Sequence, residues 1–153
     1  MCKKVEVAGL FVGEFSHNID SKGRIIIPAK FREELGDSFM ITKGFENCLF
    51  VYTMAEWHKL DESLSSLPSN QKSARYLQRI FLSGASEAEP DKQGKVLITP
   101  AHRAHANLSK EVTIIGVGKR IEIWDADTWR GYSENEEEMS LEEAAENLEG
   151  IQF

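Results

Sequence analysis

Cysteine is nearly absent from this chain: Cys2 and Cys48 are the only two among 153 residues. With one of them at the extreme N-terminus, neither a disulfide framework nor a cysteine zinc site has enough ligands. Long apolar runs are missing as well. No stretch approaches the roughly 18 residues of a membrane-spanning helix, and the opening MCKKVEVAGLFVGEF lacks the apolar segment of a secretory signal. Membrane-spanning helices and a disulfide-stapled secreted domain are thereby excluded, and a cytoplasmic protein is expected. NLS at Asn107 matches a glycosylation sequon, but without an export signal the match is a coincidence.

Signatures of catalysis are equally scarce. Of the histidines His17, His58, His102 and His105, the last two could share a helical face. No nearby Cys or acid completes a metal set, however, and surface or capping roles explain the pair. GVGKR fails the spacing of a phosphate loop, with Arg120 standing where Ser or Thr would hold magnesium, and reads as a hairpin turn. No nucleophile, base and orienting group form a recognisable set. The chain is expected to be no enzyme, with no cofactor, no metal and no small-molecule substrate.

Basic charge is in deficit too, at 18 Lys and Arg against 25 Asp and Glu, a net −7. The deficit is local. From Ser133 onward there are eight glutamates and no Lys or Arg, which leaves residues 1–132 at +1. A basic face on the body remains compatible with that balance, because nucleic acid responds to the patch rather than the sum.

What the chain does have is a repetition. NIDSKGRIIIPAKFRE at 18–33 returns 71 positions later as EPDKQGKVLITPAHRA. Gly13 corresponds to Gly84, Asp20 to Asp91, Gly23 to Gly94, Arg24 to Lys95 and Arg32 to Arg103. After one extra residue, Gly44 corresponds to Gly116, Val51 to Ile123 and Trp57 to Trp129. The period is too long for a solenoid and occurs twice only, so a duplicated module is the simplest account.

Each copy has the same shape. FVGEFSHNID reads as extended, SKG as a turn, and RIIIP as a short β-branched strand. PAKFREEL is a helix opened by proline, with Phe31 and Leu35 one turn apart. FMITKG and CLFVYT predict a hairpin around GFEN, and VTIIGVGKRIEIWD its counterpart with Gly116 and Gly118 at the turn. A short helix around Trp57 or Trp129 closes each copy. Between them, Ala74, Leu77 and Phe81 predict a linking helix capped by Ser69, with Lys72, Arg75 and Arg79 on a solvated face. At the end, Ser140 and Glu143 form a capping box, Leu141 and Leu148 are apolar, and Gly150 is a stop. This acidic amphipathic helix is marginal alone and should dock on something, a neighbouring subunit being one choice.

The boundaries are then an N-terminal extension (1–10), a first module (11–67), a linking helix (68–81), a second module (82–132) and an acidic tail (133–153). Neither module buries enough surface to stand alone, since domains under about 60 residues are marginal. Two copies in one chain meet at high effective concentration and protect each other's strand edges, which predicts an α+β fold with a pseudo-two-fold β-barrel and short helices.

Taken together, FVGEFSHNIDSKGRIIIPAKFRE, TKGFENCLFVYTMAEW, SGASEAEPDKQGKV and VGKRIEIWD resemble the MraZ family, of the AbrB-like swapped-hairpin class, from Phe11 to Phe153. The resemblance implies two tandem swapped-hairpin AbrB-like modules. It also implies a nucleoid-associated transcriptional regulator of the division and cell-wall gene cluster. Such a regulator binds short direct promoter repeats in double-stranded DNA as a ring-shaped homo-oligomer.

Within DSKGR, Arg24 is the first candidate for reading bases, because a guanidinium can donate two hydrogen bonds to guanine O6 and N7 from a β-ribbon in the major groove. Asp20 folds the turn and orients the cation, with Gly23 supplying the turn backbone; Asp91 and Gly94 match them in the second copy. Lys22 and Lys30 suit phosphate contacts. The plain alternative for Arg24 and Asp20 is an ion pair that steadies a hairpin. Arg32 and Arg103 are expected to pair structurally with carboxylates. The second copy departs from the family pattern with Lys95 for arginine and Thr99 at the place of Pro28. Lysine lacks the planar fork, so Lys95 suits phosphate, and the second copy is expected mainly to complete barrel and oligomer. The competing function is a structural or antitoxin-like protein-interaction module on the same fold.

Overall fold

β-branched runs broken by glycine turns make short strands, and the computed structural model, which describes residues 10–135 and 137–152, places them in two similar successions. Nine of the ten residues of the expected N-terminal extension lie outside the described residues. The first half runs β1 (Phe11–Asn18), β2 (Arg24–Ile26), α1 (Ala29–Leu35), β3 (Phe39–Lys43), β4 (Leu49–Thr53) and α2 (Met54–Ser65). After α3 (Lys72–Ser83), the second half repeats it as β5 (Ser86–Ala88), β6 (Lys95–Leu97), α4 (Pro100–His105), β7 (Glu111–Gly118), β8 (Ile121–Asp125) and α5 (Ala126–Ser133). A short helix, α6 (Leu141–Glu146), follows. No described helix is long and apolar enough to cross a membrane.

Six strands form one antiparallel sheet in the order β1-β7-β8-β4-β3-β5, and β2 with β6 forms a separate ribbon. The hairpins β3–β4 and β7–β8 stay within their halves, whereas the opening strands cross over. β1 pairs with β7 from Phe11↔Gly118 to Asn18↔Glu111, and β5 pairs with β3 at Ile41↔Ser86. β4 meets β8 around Phe50↔Glu122. Replacing each strand by its counterpart leaves the order unchanged, so the halves are related by a pseudo-two-fold axis. Among the described residues no ladder joins β1 to β5, so the sheet is open rather than closed by backbone pairing into the expected barrel.

The main core lies between sheet, ribbon and α1. Ile25, Ile27, Val96 and Ile98 enter it from the ribbon side, and Ile41, Val51, Ile114 and Ile123 from the sheet. Phe31 carries α1 into it, its ring edge-on to Phe11 at 5.4 Å and to Phe15 at 5.1 Å. The other sheet face holds a second cluster in which Phe81 of α3 stacks on Phe50 at 6.1 Å. There the Thr42 hydroxyl donates to the Phe81 carbonyl at 2.8 Å.

Several local expectations change. The Gln71 N–H closes a turn onto the Pro68 carbonyl at 3.2 Å, so α3 begins after Gln71 and not after Ser69. Gly118 takes φ +88 at the β7–β8 turn, but Gly116 lies inside β7 opposite Gly13 and Ile121. A Cβ on Gly116 would stand 2.5 Å from the Phe11 and Val12 backbone, so close strand approach is what requires glycine there. Gly44 lies in the β3–β4 loop, so it is not the spatial counterpart of Gly116: the two hairpin loops differ in length. The Ser140 side chain does accept from the Glu143 N–H at 3.1 Å, yet α6 ends at Glu146 with Asn147 as its cap, ahead of Gly150. Leu141 is 85 % exposed and no residue of α6 is fully buried.

Replacing Phe31 by Ala should cost about 3–5 kcal/mol by opening a cavity beneath β1. Leu141→Ala should stay within about 0.5 kcal/mol. Urea unfolding of the two variants beside the parent measures both.

Candidate nucleic-acid interface

The loop entering β2 is built by one carboxylate. Asp20 Oδ1 accepts the backbone N–H groups of Lys22 and Arg24, both at 2.9 Å, while the Gly23 N–H donates to the Asp20 carbonyl at 3.0 Å. Gly23 sits at φ +80, a left-handed backbone that glycine adopts without steric cost. Asp91 repeats the device: its Oδ1 accepts from Gln93 at 2.8 Å and Lys95 at 2.9 Å, with Gly94 at φ +79.

Each turn is then held by the other half. The Ile98 N–H donates to the Gly23 carbonyl at 2.9 Å, and the Ile27 N–H to the Gly94 carbonyl at 3.2 Å. The Arg103 guanidinium lies against Gly23, where an added Cβ would meet its Cζ at 3.0 Å, and Arg32 lies against Gly94. These reciprocal contacts, and no ion pair with a described carboxylate, are what occupy Arg32 and Arg103. The expected carboxylate pairing is replaced because the ribbon brings a bare glycine face under each guanidinium.

Four charges gather between the turns. Arg24 Nε donates to Asp20 Oδ2 at 2.9 Å, and Arg24 Nη1 stands 3.6 Å from Asp91 Oδ2. Lys95 Nζ is 3.9 Å from Asp20 Oδ2. All four side chains are half-buried, between 27 and 40 % exposed, so water reaches them. The Arg24 N–H is the main force holding the Asp20 carboxyl below its ordinary value, with the Lys22 N–H and the Arg24 side chain adding to it against partial desolvation. For Asp91 the Lys95 N–H leads in the same way. Arg24 is thus oriented by a direct hydrogen bond, whereas Lys95 stands only at ion-pair distance.

Register decides which side chains face outward. Ile25 opposes Val96 and both point into the core; Arg24 opposes Leu97 and Ile26 opposes Lys95 on the outer face. The structure thus joins Arg24, Lys95, Asp20 and Asp91 in one cluster on the turns of Gly23 and Gly94. Lys22 at the first turn and Lys30 on α1 are exposed, outside the ion pairs of that cluster. Sequence reasoning missed the contact of Asp91 with Arg24 and the exposed Lys92 at the second turn. Lys92 was legible in the second turn DKQG. The Asp91 contact depends instead on the antiparallel pairing that sets each turn beside the other strand's exit, within reach of long side chains across the ribbon.

Other candidate groups serve the scaffold. His102 is buried, its Nε2 2.6 Å from the Gly84 carbonyl, and His105 Nε2 lies 3.1 Å from that of Gly44, so both tie elements of the fold together and neither is the surface histidine expected. Among the described residues no group of three His, Cys, Asp or Glu could hold a metal ion. Cys48 is buried and burial pushes its thiol far up, which makes it a poor nucleophile. Arg120 donates to Glu122 at 2.9 and 2.7 Å and lies over the Phe50 ring at 4.3 Å, locked into packing at the hairpin.

Comparison with known proteins bears on this site. A family model described as "MraZ protein, putative antitoxin-like" matches the chain twice, over residues 10–80 and 81–150. A curated protein of Halothermothrix orenii named transcriptional regulator MraZ is 54 % identical over 142 residues, covering 93 % of this chain and 99 % of its own. Proteins of the same name from Caldanaerobacter subterraneus and Desulforamulus reducens are 51 % and 50 % identical, over 93 % and 91 % of this chain and 99 % and 97 % of theirs.

The depressed carboxyls make a pH prediction. A group whose folded pKa lies below its unfolded value stabilises the fold fully above the unfolded pKa and loses that contribution as pH falls through the folded one. Stability should therefore decline below about pH 4, and the Asp20→Asn/Asp91→Asn double variant should decline less steeply. Urea midpoints taken across that range give the comparison; parallel curves would show that the two acids carry no such linkage.

Proposed function

The chain belongs to the MraZ family, and from that premise we propose that it is a transcriptional regulator binding double-stranded DNA sequence-specifically through the β2–β6 ribbon. The family is one of transcriptional regulators rather than enzymes. One observation supports the reading: the β2–β6 pairing sets two Asp-turn-cation loops at the two ends of one short outward ribbon, their charges meeting across it, and a two-stranded ribbon is a shape that a major groove admits. Arg24 is the base reader. Lys22, Lys30 and Lys95 neutralise phosphates.

The ion pairs fit that role. Half-exposed pairs contribute little to stability, so two carboxylates beside a DNA face have a better reason in orientation. Asp20 fixes Arg24 through its Nε, which lowers the side-chain entropy lost on docking. Guanine can displace the longer contact to Asp91 without breaking the bond to Asp20.

Crossing of β1 and β5 between halves supports two swapped-hairpin AbrB-like modules, 11–67 and 82–132, packed in the manner of a pseudo-two-fold barrel. The linking helix (68–81) and acidic tail (133–153) are accessory to them. One chain offers few base contacts, too few for tight selection at physiological salt. A ring-shaped homo-oligomer would engage successive direct promoter repeats by avidity, the target being the division and cell-wall gene cluster, with the protein nucleoid-associated in the cytoplasm. The antitoxin-like wording of the family model favours a second reading, a protein-interaction module.

Gel-shift titration on DNA upstream of the chain's own gene, against scrambled repeats, separates the two. Arg24→Ala should lose about tenfold or more in affinity and its preference for the repeats. Lys95→Ala should weaken all sequences alike and lower the salt slope by about one. Salt-insensitive binding would defeat the DNA reading, and an Arg24→Ala protein with undiminished preference for the repeats would defeat the assignment of Arg24 as base reader.

A further inference from the structure

The outer face of the ribbon is not wholly polar. Ile26 is 40 % exposed and Leu97 56 % exposed, although both flank cations. Pairing places Leu97 directly across from Arg24 and Ile26 directly across from Lys95, so the face is a two-by-two checkerboard of cations and branched aliphatics. The pattern follows the pseudo-two-fold axis, since each half contributes one of each kind.

We propose that Leu97 and Ile26 read the 5-methyl groups of thymines, each beside a base or phosphate held by the cation opposite; this rests on the DNA reading above. In the major groove thymine presents a methyl group that apolar side chains contact. Ile26 and Leu97 lie on different strands, at opposite corners of one diagonal of the checkerboard. Such diagonal neighbours stand about 7–8 Å apart, close to two base steps at about 3.4 Å each, so the two aliphatics address positions on one short site. A protein partner covering Leu97 would have to bury Arg24 and Lys95 with it, at a desolvation cost. A duplex supplies methyl group and counter-charge in one groove. The second half then contributes to specificity through Leu97, not through its lysine, which widens the role expected of it from the sequence.

Deoxyuridine tests this, because it removes the methyl and leaves every hydrogen-bonding group in place. Fluorescence anisotropy would follow the full chain on a duplex from upstream of its own gene and on the same duplex with each thymine replaced by deoxyuridine. The deoxyuridine duplex should bind about fourfold more weakly per methyl contacted. Leu97→Ala and Ile26→Ala should each reduce that difference and together abolish it, while keeping the salt slope; Ser, which carries no methyl group, replaces Ala if circular dichroism shows a weakened fold. Equal affinity of the parent for both duplexes, with Arg24→Ala still impaired, overturns the methyl assignment and leaves the DNA reading standing. Undiminished discrimination in the double variant overturns it as well. Failure to bind either duplex removes the DNA reading and this inference together.

Discussion

The antiparallel meeting of β2 with β6 is the contact on which the rest of the structure depends. Each strand has three residues and, among the described residues, no other partner, so each needs the other half of the chain. Their pairing turns Ile25 and Val96 inward over the core and sends Arg24 and Lys95 outward. It also brings each turn within hydrogen-bond reach of the opposite strand's exit. A one-residue slip would reverse every side chain in the ribbon, exposing isoleucine and burying arginine. Register in this short ladder is therefore set by the core and by the two aspartate turns acting together.

The charge cluster shows how duplication changes what a residue does. Within one copy, Asp20 and Arg24 are a local ion pair across a turn. With two copies in place, Arg24 also faces Asp91, and Lys95 faces Asp20. Two acids and two bases cancel, so the cluster itself carries no net charge. The same logic governs Arg32 and Arg103, whose guanidiniums cover the partner half's turn glycine.

The halves have diverged where one of them is covered. α3 lays Phe81 over Phe50 on the outer face of the first half. In the second half Trp124, Trp129 and Tyr132 pack on one another, at 5.2 Å, 5.1 Å and 6.2 Å between ring centres. Thr99, standing where the first half has Pro28, caps α4 by accepting the His102 N–H at 3.2 Å, whereas Pro28 makes no side-chain cap. The substitution that looked like a departure at the site is a helix-capping change.

What the amino-acid sequence determined by itself is local or repeated: the two copies, their strands and helices, the aspartate turns, and the inward Phe31 and Leu35. Those follow from periodicity and turn chemistry, which act over a few residues. Only the tertiary structure decided that Arg24 faces Leu97 and Asp91, that Gly116 yields to the Phe11 backbone, and that no ladder among the described residues joins β1 to β5. Each of these is a contact between residues far apart in the chain. Their geometry depends on how two halves interleave, and no spacing within either half encodes it.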